Sequence, residues 1–205
     1  MTVKRAAHGR AAHEQVLGAV LGSTLLLIGC GSAPKPQAPA EIQIVHLDAN
    51  NAVIETQPMG QVPLIAPPQG GWIVLLGVRA KNVDDQATIT TALVDSCDDQ
   101  ILQIDRRPTH LDIGADGWGQ SSLTTFGNLP VCPAVTATRD LHDVPYIIKV
   151  SVEDTDGQKA TTSLTVVPTC PTETSRCPCE CDRDYVLGAD CPTVVVPHGT
   201  CSTAD

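Results

Sequence analysis

Three kinds of residue in this sequence could do chemistry: thiols, imidazoles with a carboxylate close by, and carboxylates carried on turns. Nine cysteines are present, and Cys177-Pro178-Cys179-Glu180-Cys181 crowds three of them into one short run. Deprotonated, such sulfurs are soft ligands for zinc or copper(I). Zinc knuckles, however, use paired Cys-x-x-Cys units, whereas a single residue separates neighbours here, and oxidation to disulfides competes for the same thiols. His46 with Asp48, His110 with Asp112, and His142 with Asp143 are imidazole–carboxylate neighbours. In an extended strand an i, i+2 pair shares a face, yet no third ligand or nucleophile stands at a diagnostic spacing. The sequence contains no Gly-x-Ser-x-Gly elbow, no His-Glu-x-x-His and no phosphate-binding glycine loop. Asp154-Thr155-Asp156-Gly157 does not fit a calcium-binding EF-hand loop, because Val152 occupies the first ligand position and Ser163 the twelfth. It reads as a turn. These residues imply a binding or structural module rather than an enzyme, with no cofactor and no metal.

The elements that must position such groups are strands. In Tyr146 to Glu153, Tyr146, Ile148, Val150 and Val152 point one way while Lys149, Ser151 and Glu153 point the other, a period-two alternation. The turn 154–157 and the β-branched run Ala160 to Val167 complete a hairpin. Trp72 to Ala80 and Thr88 to Asp95 are two more strong strand candidates, separated by the polar turn 82–86. Weaker candidates lie at 41–47, 61–66, 101–105, 109–113 and 121–126. Seven or more short strands with turns between them, and no amphipathic helix after residue 30, predict an all-β sandwich over 41–168. Residues 169–205 hold six cysteines and four prolines but few apolar residues, which predicts a disulfide-stapled tail.

The chain has 13 Lys+Arg against 23 Asp+Glu, a net charge of −10. That excludes the basic footprint that nucleic-acid binding requires. Aromatic residues are restricted to Trp72, Trp118, Phe126, Tyr146 and Tyr185, so the core must be built from Val, Ile, Leu and Ala.

The N-terminal region resembles a bacterial lipoprotein leader. Lys4, Arg5 and Arg10 form a basic start, Val16 to Ile28 an apolar stretch too short for the roughly 20 residues of a spanning helix, and Leu27-Ile28-Gly29-Cys30 a lipobox. The resemblance implies that residues 1–29 are removed and that Cys30 carries lipid, including palmitate. Removal of Lys4, Arg5, Arg10 and Glu14 leaves 10 basic and 22 acidic residues, a net charge of −12. Residues 30–40, with Pro34, Pro36 and Pro39, would be an extended tether reaching about 30 Å. Localisation is then the cell envelope, at the outer membrane or cell surface rather than the inner membrane, since Gly31 follows the cysteine. The remaining eight cysteines, Cys97, Cys132, Cys170, Cys177, Cys179, Cys181, Cys191 and Cys201, form an even set fit for disulfides.

Residues 146–167 resemble the last two strands of bacterial immunoglobulin-like modules of the polycystic-kidney-disease and fibronectin type III kinds, with Tyr146 where a tyrosine corner would lie. The resemblance implies an Ig-like antiparallel sandwich. It further implies that Cys97 pairs with Cys132, since their loops share one end, while the six tail cysteines pair among themselves. At the opposite end, loops 82–86, 114–120 and 154–158 would bring Asp84, Asp85, Asp116, Asp154 and Asp156 around Trp118. That surface is the candidate for a protein or glycan partner, or for calcium through carboxylate oxygens. Metal binding through the tail or acidic loops, and a secreted hydrolase without a recognisable motif, are the alternative functions.

Overall fold

The computed structural model describes residues 38–173, 176–191, 198–199 and 201. The leader, Cys30 and the tether up to residue 37 lie outside the described residues. Within them the chain is all-β. Its strands are β1 (Glu41–Leu47), β2 (Val53–Glu55), β3 (Gln61–Pro63), β4 (Trp72–Lys81), β5 (Gln86–Asp95), β6 (Ile101–Ile113), β7 (Trp118–Ser121), β8 (Gly127–Cys132), β9 (Tyr146–Asp154) and β10 (Lys159–Thr169). One short helix, α1 (Arg176–Glu180), sits in the tail.

The hairpin β9–β10 forms as the alternation requires, from Tyr146↔Val166 to Glu153↔Lys159. On its other side β9 pairs with β5, and β5 with β6. The last residues of β6 then pair with β7, and β7 with the end of β4 at Lys81↔Trp118. β4 carries β8 along its first half and β1 along its second, with β2 outermost. Because β6 belongs to both layers, the hydrogen-bonded path folds over and the two halves share one core. Val74, Leu76 and Val78 of β4 meet Ile89 and Leu93 of β5 and Tyr146, Ile148, Val150 and Val152 of β9 there.

Besides β2, β7 and β8, which no candidate spans, three details differ from the strand candidates. The segments 101–105 and 109–113 are one 13-residue strand, because Pro108 lies where β6 has β5 as its strand neighbour, an edge that tolerates a missing N–H. Of residues 121–126 only Ser121 belongs to a strand, as the end of β7, and 123–125 form a short 3-10 turn. Thr125 Oγ1 donates to the Ser122 carbonyl at 2.9 Å, a local bond that competes with a ladder, and the chain turns so that Phe126 is buried. The pairings are also not uniformly antiparallel, since β3 enters alongside β10 in the same direction, Val167↔Gln61.

Phe126 anchors a second cluster with Val45 and Leu47. A side chain at Gly77 would overlap its ring and the Ser121 hydroxyl, so only glycine lets β4 pass so close. Ser121 Oγ accepts the Val78 N–H at 2.8 Å and donates to the Val78 carbonyl at 3.1 Å, fastening β7 to β4.

The expected Cys97–Cys132 bridge is corrected by the structure. Cys97 pairs with Cys201 and Cys132 with Cys181, while Cys170–Cys177 and Cys179–Cys191 close within the tail. The reason lies in the layering: Cys97 follows β5, whereas Cys132 ends β8 opposite Trp72 in the other layer. Each takes a tail cysteine instead. Cys132, Cys177 and Cys181 are buried in the main core, so the tail is stapled onto the sandwich.

Candidate functional site

The acidic loops do meet at one end, but Asp84, Asp116 and Asp154 are occupied with holding turns and loops. Asp154 Oδ1 accepts the Gln158 N–H at 2.8 Å and Oδ2 the Asp84 N–H at 3.3 Å. Thr155 Oγ1 donates to Asp84 Oδ2 at 3.2 Å, which ties loop 82–86 to loop 154–158. Asp116 Oδ1 accepts the Trp118 N–H at 3.1 Å, and Oδ2 lies 3.4 Å from Arg79 Nη2. The Arg79 guanidinium sits 5.4 Å from the Trp118 ring centroid, a cation–π contact over a half-buried indole. Asp85 faces His110 at 3.8 Å, and Asp156 stands exposed on its turn. The five carboxylates therefore split into separate groups near Trp118: Asp84 with Asp154, Asp116 with Arg79, and Asp85 beside His110, with Asp156 exposed. They do not converge on a common point.

This end also receives residues 38 and 39, just ahead of β1. Asn82 Nδ2 donates to the Pro39 carbonyl at 2.8 Å and Gln158 Nε2 to the Ala38 carbonyl at 2.9 Å. Trp118 and its acidic neighbours thus lie beside the point where the N-terminal segment enters the sandwich.

The opposite end is built around Tyr146. Its hydroxyl donates to the Asp140 carbonyl at 2.8 Å, and Arg139 lies 4.3 Å over its ring. Arg139 Nη2 in turn reaches Asp95 Oδ1 at 2.9 Å, with side chains only 3% and 1% exposed. Burial pushes the Tyr146 phenol well above its usual range, with the Arg139 charge opposing. Trp72 Nε1 donates to Glu180 Oε2 at 2.7 Å, linking β4 to α1. Beside it runs a groove of about 970 Å³, lined by Leu64, Ile65, Trp72, Asp143 and Thr169 among others.

No protein-family model matches the chain, and no curated protein matches it.

The imidazole–carboxylate neighbours have separate fates. His46 is buried with Nδ1 2.9 Å from Thr56 Oγ1, and burial holds its pKa below the ordinary imidazole value against the Asp48 charge. His110 lies 3.6 Å from Asp112, and His142 3.0 Å from Asp143. The tail sulfurs are all in disulfides, so Cys177, Cys179 and Cys181 present no free thiolate. A cluster that no short-range pattern reveals is Asp140, Asp182 and His198, whose ligand atoms lie within 4.8 Å of one another.

Proposed function

We propose that this chain is a cell-envelope lipoprotein, anchored through Cys30, whose Ig-like sandwich acts as a binding or structural module. The observation that carries the reading is cysteine parity: all eight cysteines after Cys30 are paired, which suits an oxidising compartment. That leaves Cys30 of the lipobox as the odd thiol.

The hydrogen bonds to Ala38 and Pro39 bring the segment preceding β1 to the Trp118 end. From Cys30 to Ala38 an extended Pro-rich tether would reach about 25 Å. An apolar groove edged by Asp143 and Thr169 suits a protein or glycan partner.

Two comparisons test this. Cys30→Ala abolishes uptake of labelled palmitate and moves the protein out of the membrane fraction; persistence of the label overturns the anchor. Ala66→Arg, which places a charge on an exposed residue lining the groove, abolishes affinity capture from a native envelope while leaving the melting temperature unchanged; undiminished capture removes the groove from the reading.

A further inference from the structure

The unassigned chemistry that reaches furthest lies where the tail meets the sandwich. We propose that Asp140, Asp182 and His198 form a binding site for a first-row divalent cation, with zinc the best match. Asp140 sits in the β8–β9 connection, Asp182 directly after α1 and Cys181, and His198 near the C-terminal Cys201. Fold and disulfides bring the three together from distant parts of the chain.

The donor set is mixed rather than merely acidic. His198 Nδ1 is fully enclosed and has no hydrogen-bond partner, yet Asp140 Oδ1 faces it at 3.6 Å and Asp182 Oδ2 at 3.9 Å. Those separations exceed a hydrogen bond. They approach the roughly 3.4 Å edge of a tetrahedron whose metal bonds are about 2.1 Å. Asp140 is 2% exposed, and buried carboxylates are held by paired charges or by metal coordination. A divalent ion neutralises Asp140 and Asp182 together.

The surroundings hold the ligands in place. Asp140 accepts the Arg183 N–H at 3.1 Å and the N–H of His198 itself, so its carboxylate is fixed by both tail segments. His198 Nε2 faces Asp184 Oδ2 at 3.7 Å, which adds a further carboxylate charge beside the imidazole. Imidazole with carboxylate oxygens suits zinc and its neighbours rather than calcium, which takes oxygen ligands. Three protein ligands leave a coordination position for water or for a partner's side chain. The ion would clamp the C-terminal segment to the end of the sandwich that carries the Tyr146 loop, independently of how the chain is anchored.

The test uses the full-length chain, stripped with a chelator while its disulfides remain oxidised, and titrated with zinc chloride by calorimetry. Wild type binds one equivalent. Cobalt(II) in its place gives visible d–d absorption without a thiolate charge-transfer band. His198→Ala and Asp182→Asn each weaken zinc binding by more than about tenfold, whereas Glu55→Gln, exposed on the outermost strand β2, leaves it unchanged. Asp182→Asn preserves side-chain shape and keeps the test decisive if His198→Ala disturbs folding. Absence of one-to-one binding in wild type overturns the site, as does equal affinity in wild type and Asp182→Asn.

Discussion

Tyr146 donates its phenolic hydrogen to the carbonyl of Asp140, six residues upstream, at 2.8 Å. The bond pins the β8–β9 connection to the first residue of β9, and with it the side chains that face the tail. Tyr146→Phe removes the hydrogen and leaves a buried carbonyl short of a partner, a loss of about 1–3 kcal/mol. Chemical denaturation should show a lower midpoint at unchanged slope. An unmoved midpoint would mean that the loop is held by other contacts.

Arg139 and Asp95 form the buried ion pair behind that loop, and Arg139 Nη2 also donates to the Pro145 carbonyl at 2.6 Å. Arg139→Met strands the Asp95 carboxylate in the interior and costs about 3–5 kcal/mol. Arg139→Met combined with Asp95→Leu removes both charges, so the double variant should be more stable than Arg139→Met alone. If it is less stable, Asp95 matters chiefly through the Cys97 N–H it accepts at 2.9 Å.

Much of the fold is legible locally because strands declare themselves through alternation. Tyr146, Ile148, Val150 and Val152 are all buried, and the even number of cysteines after Cys30 correctly implied full pairing. β7 and β8 were hidden for physical reasons. Trp118-Gly119-Gln120-Ser121 has no apolar alternation, and Pro130 interrupts the β8 pattern. Disulfide partners depend on which layer each cysteine occupies, which local pattern does not encode. The Asp140, Asp182 and His198 cluster is illegible for the same reason: its members are brought together only by the tail's staples.

Cys97–Cys201 spans 104 residues, the longest of the four loops. On the chain-entropy model, closing a loop of that size contributes about 4.7 kcal/mol. Replacing both cysteines by serine should therefore lower stability by about that amount without unfolding the β9–β10 hairpin. Non-reducing peptide mapping should recover 97 with 201, 132 with 181, 170 with 177 and 179 with 191. A peptide linking Cys97 to Cys132 would overturn the stapled arrangement of the tail.

His46 gives the fold an acid sensitivity whose sign follows from burial. Its imidazole is 3% exposed, and desolvation holds its pKa below the ordinary value of about 6.5 despite the opposing charge of Asp48. As pH falls through about 6.5, the unfolded chain takes up a proton that the folded chain refuses until a lower pH. The stability associated with the neutral ring is therefore complete above that value and declines as pH falls towards the folded pKa. Asp48 remains charged through this window, because the N–H groups of Ala52 and Asn50 hold its carboxyl below the usual carboxylate range. His46→Asn keeps a polar atom for Thr56 Oγ1 but cannot titrate. Denaturation midpoints at pH about 7.5 and about 5 should fall further for wild type than for His46→Asn, the difference isolating His46 from the other histidines. Equal losses in the two proteins would show that the proton taken up on unfolding goes elsewhere.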